Sequence, residues 1–344
     1  MIALGAFVYL SLSSTRLIPA GAVTGTRSAP VAAKHVRLIA VGDINLGRAV
    51  GKAILGGDTL YPFAAVQDSF AGYDLVFGNL ESSLSDQGGE TEKPGSNMVF
   101  TGPPGGAESL RQGGVTMVSI ANNHALDYGP AALRQTMQYL DAAGVRYAGS
   151  SLEKSKICSP LILERSGIRI ALFACTDLMN GSDSSWKSVV AAADTGELLP
   201  ALRHVRDSVD FIIVSYHGGT EYAEKPAERT EQFAAEVIRN GADLFLGHHP
   251  HVSYGVDSID GKLVVPSLGN FVFRQPDRYW TQRSFAFEAE IVKDSTGTRI
   301  AGYRCAPVFA GFQPTFALPK GDVEAIQRRI ALRSHRGDME RSTW

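Results

Sequence analysis

Three histidines fall within four residues at His248-His249-Pro250-His251, directly after the apolar run 243–246 and Gly247. A lone histidine is usually a satisfied structural residue. A cluster at the end of a buried run reads instead as a ligand set, because neutral imidazole is the commonest nitrogen donor to metals. Four more polar clusters follow or adjoin apolar runs. Asp43 and Asn45, after the run 36–41, are short oxygen-bearing side chains at i and i+2 that can turn toward one ion; a turn or helix cap is the plainer alternative. Asn79 and Glu81 follow the run 74–77, where an N-cap also fits. Asn122-Asn123-His124-Ala-Leu-Asp127 leaves the run 115–120. There an amide oxygen suits a hard cation, and His124 suits metal binding or proton transfer. Asp127 either orients His124 or caps the next helix. His217 ends the run 211–215 beside Gly218-Gly219, which let backbone or substrate come close. Together these clusters offer a mixed nitrogen and oxygen set that suits Zn, Mn or Fe ions better than Ca or Mg.

The elements that must position these residues are legible as a pattern. Short apolar runs at 36–41, 74–77, 115–120, 168–174, 211–215 and 243–246 read as buried strands. Helical spacing appears at 130–143, with Pro130 in the first turn and Gly144 at the end, and at 196–208 and 228–240. Strands alternating with helices predict an α/β fold with largely parallel central strands, whose C-terminal ends are the usual place for ligands. After residue 250 the runs 252–257, 262–267, 284–292 and 299–307 predict an antiparallel second half, with a last helix near 321–334. The chain has 344 residues, 44% of them apolar and 20% charged, and a formal net charge of −2. That composition supports a substantial core, and without a long basic run it argues against nucleic acid as a partner. Cys158, Cys175 and Cys305 lack CxxC spacing, so a thiolate zinc site is not expected. Cys175 reads as core, and a Cys158–Cys305 disulfide stays open. The apolar N-terminal run is shorter than the ~20 residues a spanning helix needs. Residues 1–22 read as a signal peptide or membrane-anchor stub, with Ala20-Gly21-Ala22 as a cleavage site, 23–35 as a linker, 36–318 as the domain and 319–344 as a C-terminal helix and tail. An extracytoplasmic location, secreted or membrane-anchored, is therefore expected.

The order of the motifs resembles the calcineurin-like metallophosphoesterases, and more closely the CapA family of poly-γ-glutamate capsule proteins. The residues that carry the resemblance are Gly-Asp-x-x-Leu-Gly-Arg at 42–48, Asn-Leu-Glu at 79–81, Ala-Asn-Asn-His-x-x-Asp-x-Gly at 121–129, His-x-Gly-x-Glu-Tyr at 217–222, Gly-His-x-Pro-His at 247–251 and Ser-Leu-Gly-Asn-Phe at 267–271. The resemblance implies a metallophosphatase-like four-layer α/β/β/α sandwich of two mixed β-sheets flanked by helices. It also implies one or two divalent ions (Mn, Zn or Fe) on Asp43, Glu81, Asn123, His217, His248 and His251, with Asn45 and His249 beside them. His124 matches the histidine that protonates leaving groups, with Asp127 next to it. Arg48 is expected to grip a carboxylate or phosphate, a surface salt bridge being its plainer role, and Glu221 and Tyr222 are expected at the substrate. Asn45 and Glu81 stand where phosphoesterases usually carry the His of Asp-x-His and the Asp of Gly-Asp, a departure from their two-metal set. The expected function is metal-dependent hydrolysis or transfer at a γ-glutamyl amide of polyglutamate or a peptide-like anionic substrate. A phosphoesterase, a non-catalytic polyglutamate-binding or export subunit of a membrane-associated capsule synthesis complex, and a metal-assisted epimerase are the alternatives.

Overall fold

Strand β1 (Lys34–Ile44) is buried on both faces from Leu38 onward, which is why its sequence runs apolar without alternation. The computed structural model describes residues 33–86, 92–93, 96–181 and 184–334, with backbone alone at 92–93 and 96–98. The readings of residues 1–22 and of the linker as far as residue 32 lie outside them. The linker's last two residues belong to β1, where Lys34 and His35 pair with Lys293 and Val292. They escape an apolar-run reading because both are exposed.

The first sheet continues with β2 (Leu75–Leu80), β3 (Met117–Ser119) and β4 (Arg146–Ala148), all parallel to β1. The second comprises β5 (Leu161–Arg165), β6 (Ile168–Thr176), β7 (Phe211–His217), β8 (Leu244–His248), β9 (Asp257–Ile259) and β10 (Lys262–Val265), in the order β9-β10-β8-β7-β6-β5. The chain then returns to the first sheet with β11 (Asn270–Val272), β12 (Arg283–Asp294) and β13 (Gly297–Phe309). β1 pairs antiparallel with β12 along residues 34–40 and parallel with β11 at Asp43 and Ile44. A small third sheet joins Ser83–Leu84, Glu92–Lys93 and Ser96–Gly102.

Two apolar clusters define the layers. One joins inward residues of both sheets, such as Leu38, Phe77, Ile170 and Ile213, to helices α1 (Arg48–Leu55), α2 (Gly105–Gln112) and α3 (Gly129–Ala143). The other packs Phe173, Val214 and Phe245, on the far face of the second sheet, against α4 (Thr195–Arg206) and α5 (Glu228–Arg239). The arrangement is the four-layer α/β/β/α sandwich. The last helix, α6 (Lys320–Arg333), buries Ile326 and Ile330 against the first cluster, so it belongs to the folded body that the sequence reading closed at 318. The antiparallel second half holds for β9 with β10 and for β12 with β13, but β10 and β11 join their sheets in parallel. Residues 252–256 are not a strand, although Val252, Tyr254 and Val256 alternate and are buried. Their N–H groups turn to separate partners instead: Tyr254 donates to Ser267 O and Val256 to the Ser334 hydroxyl. All three cysteines are free, with Cys175 in the core.

Two glycines permit the crossings that bring ligand-bearing strand ends together. A Cβ on Gly42 would lie 1.8 Å from Gly269 O, and one on Gly247 would lie 2.0 Å from Pro266 O. Gly42→Ala is therefore expected to destabilise the fold by about 3 kcal/mol, because backbone rather than a movable side chain must shift. Gly321→Ala, where the added Cβ meets nothing within 4 Å, should raise stability by about 0.5 kcal/mol. Urea unfolding of the two variants checks this pair of signs.

Candidate metal centre

Register alone assembles the site. In the first sheet Asp43 of β1 stands opposite Asn79 of β2 and Asn270 of β11, and Asn79 stands opposite Ser119 of β3. In the second sheet His217 of β7 stands between Thr176 of β6 and His248 of β8. The parallel strands thus present two rows of polar side chains at their C-terminal ends. Glu81 lies just beyond β2, while His249 and His251 lie just beyond β8.

Among the described residues three overlapping groups could hold a metal ion: Glu81, His217 and His249; Asp43, Glu81 and His251; and Glu221, His249 and His251. Within each group the ligand atoms lie within 4.8 Å of one another. Asp43, Glu81, His217, His248, His249 and His251 are all buried. His248 Nδ1 and His251 Nδ1 each stand 3.3 Å from an Asp43 carboxylate oxygen.

Hydrogen bonding leaves an unusual residue. Glu81 Oε1, both ring nitrogens of His248 and His249 Nδ1 are buried without a hydrogen-bond partner. Such groups are destabilising unless something else satisfies them. A cation on this mixed carboxylate and imidazole set would satisfy Glu81 Oε1 and the unprotonated nitrogen of a neutral imidazole, so the residues present fit a divalent ion. Burial presses the His217 imidazole well below its usual range and the His249 ring down to about 4, which keeps both neutral, the form that ligates. Burial raises the Glu81 carboxyl well above the usual carboxylate range, and the charge of Asp43 adds to this. Burial also opposes ionisation of Asp43, but the adjacent His248 and His251 rings outweigh it and hold that carboxyl well below its usual range.

Amide side chains orient the ligands. Asn79 donates to Asp43 Oδ1 at 2.9 Å and to His217 Nδ1 at 3.2 Å, and accepts from Asn122. His217 Nε2 then donates to Asn123 Oδ1 at 2.8 Å. His251 Nδ1 donates to Asn270 Oδ1 at 2.9 Å, and Asn270 is itself fixed by Gln275 and Thr281 O. The bond to Asn270 leaves His251 Nε2 as the nitrogen free to ligate, whereas both His217 nitrogens already have partners. Asn79, Asn122 and Asn270 were present in the sequence motifs but carried no assigned role. His249 and His251 have φ of 96° and 58°, backbone conformations that non-glycine residues hold only where their surroundings impose them.

Beside this cluster lies an acid–base pair. His124 Nδ1 donates to Asp127 Oδ2 at 2.6 Å, and its Nε2 points toward Glu81 Oε1 at 3.8 Å. Asp127 also accepts from Phe100 N and from Asn180. It therefore orients His124 and does not cap α3, whose N-cap is Tyr128. Phe100 stacks on His124 at 3.9 Å, and the Arg48 guanidinium lies over the other partner of that stack, 4.4 Å from the Phe100 ring. Asn45 Oδ1 accepts from Gly47 N at the start of α1, so its oxygen is already engaged. Glu221 belongs to the outermost ligand group, and the Tyr222 ring lies 5.9 Å from His251. Asn180, which links His124, Asp127 and Asn123, carried no signal in the sequence because it sits in an irregular loop after β6.

The site is thus a carboxylate and imidazole cluster at the strand ends of a four-layer fold. A family model described as "Bacterial capsule synthesis protein PGA_cap" matches residues 37–275. The chain belongs to that family. It is similar to the PGA biosynthesis protein CapA of Bacillus subtilis (strain 168), 31% identical over 268 residues, covering 75% of this chain and 68% of that protein. It is also similar to the capsule biosynthesis protein CapA of Bacillus anthracis, 29% identical over 288 residues, covering 80% and 69%. Among solved structures, the calcineurin-like phosphoesterase YfkN from Bacillus subtilis matches with a TM-score of 0.46 at 13% identity, over 88% of this chain and 98% of that one.

Proposed function

We propose that this protein acts in poly-γ-glutamate capsule metabolism at the cell envelope, as a metal-dependent enzyme that hydrolyses or transfers at a γ-glutamyl amide. The observation that carries the reading is the buried, hydrogen-bond-starved ligand set directly beside an aspartate-held histidine. Asp43, Glu81, His217, His248, His249 and His251 would hold one or two Mn, Zn or Fe ions. Such an ion supplies Lewis acidity toward an acyl oxygen or a water. Asp127 holds the His124 ring and stabilises it when it carries a second proton, so His124 Nε2 can deliver that proton to the departing amine. Arg48 grips a carboxylate of the substrate, and Glu221 and Tyr222 line its approach. On this reading residues 1–22 direct export or anchor the chain; no helix among the described residues is long and apolar enough to cross a membrane.

The phosphoesterase alternative has less behind it, because the second position of the first motif is Asn45, whose oxygen is committed to Gly47 N. A substrate panel separates the two. Purified protein with added Mn, Zn or Fe is offered γ-linked oligoglutamate, phosphomonoesters and phosphodiesters. The expected result is new amine or new chain lengths from the oligoglutamate alone; turnover of phosphoesters alone would contradict it.

A further inference from the structure

Two arginines in the stretch between β11 and β12 stand on aromatic rings, one on a ring beside the buried centre and the other next in sequence to such a ring. The Arg278 guanidinium lies 4.3 Å over the Tyr222 ring, and that ring lies 5.9 Å from His251. The Arg274 guanidinium lies 5.5 Å over Phe312. Its chain neighbour Phe273 has its ring 5.0 Å from His251 and 5.7 Å from Phe100, the ring stacked on His124. Both arginines are exposed. Among the described residues neither has a hydrogen-bond or ion-pair partner, and Asp277, between them in sequence, bonds to neither. Some other exposed guanidiniums are neutralised within the fold, as in Arg304 with Glu288, Arg299 with Asp294 and Arg111 with Glu108, whereas Arg134 and Arg328 share the lack of an ion-pair partner among the described residues.

A guanidinium held over a ring loses little further freedom when it binds, and its planar N–H fork stays available for an oxyanion. Two such forks next to one reaction centre suit a ligand with repeating carboxylates better than a compact one with a single charge. We propose that Arg274 and Arg278 form a carboxylate-recognition pair that engages two carboxylates of one polyanionic chain while a neighbouring unit occupies the buried centre. The proposal rests on the reading of that centre as the reaction site, and it assigns substrate grip to a stretch that no sequence motif marks.

The test is binding rather than turnover. A short γ-linked oligoglutamate is titrated into metal-loaded protein carrying His124→Ala, alone and combined with Arg274→Gln, Arg278→Gln or both. Each single change is expected to weaken binding about fivefold and the pair about 25-fold, with Arg→Lys at either position recovering part of the loss. Added salt should erode binding to the parent more steeply than to the double variant. A γ-linked oligomer of isoglutamine of the same length, whose α-carboxylates are replaced by neutral amides, should bind all of them alike. Equal oligoglutamate affinity in the parent and the double variant would overturn the pair, whatever the turnover of the native enzyme. Arginine-dependent binding in a protein whose native form shows no turnover would support the pair and sink the enzymatic reading.

Discussion

His124→Ala is expected to lower turnover of a γ-glutamyl substrate by about 10³-fold while the protein keeps its full metal content. On the proposed mechanism the imidazole carries the proton, and its second nitrogen is fixed by a carboxylate through the 2.6 Å bond from Nδ1 to Asp127. It lies 3.8 Å from Glu81 rather than within the ligand groups themselves, so its removal takes away proton delivery and leaves the ligands. Steady-state kinetics with elemental analysis of the same preparation read both halves. Parallel loss of metal and activity would make His124 a ligand rather than an acid, and undiminished turnover would remove the mechanism.

Glu81→Gln is expected to act with opposite signs in metal-free and metal-loaded protein. Without an ion, the Glu81 carboxyl is fully buried, has one unpartnered oxygen and faces Asp43, and burial drives it toward the protonated form. A neutral amide of the same shape then changes stability by less than about 1 kcal/mol, or raises it. With an ion present, the carboxylate is a ligand shared by two of the three candidate groups. Its loss should remove about 3 kcal/mol of the stabilisation that tight metal binding confers. Thermal unfolding with and without chelator measures both signs. An equal effect in the two conditions would mean that Glu81 holds no metal.

The strands were legible because burial on both faces writes itself as an unbroken apolar run, as at 38–41 and 211–214. The candidate ligands were legible for the same reason: Asp43, His217 and His248 are polar residues placed where such runs stop. What surrounds them was not. Asn79 bonds to Asp43 and His217, yet an asparagine near a strand end reads equally well as a turn residue. Asn180 and the arginines at 274 and 278 lie in irregular loops, where no periodicity ties a residue to a face. The 252–256 segment shows the converse failure. Its apolar residues are buried, but so are Ser253 and Gly255 between them, and its N–H groups bond to Ser267 O and the Ser334 hydroxyl instead of to a neighbouring strand. The N-terminal boundary slipped because a strand that opens with exposed Lys34 and His35 carries no apolar mark at its start.

Crystals grown with Mn²⁺ and measured at its absorption edge give the most direct test of a cation held at the meeting of the two strand-end rows. An anomalous peak is predicted within coordination distance of Glu81, His217 and His249, of Asp43, Glu81 and His251, or of both sets. A fully loaded crystal whose peaks lie away from these side chains would contradict the account.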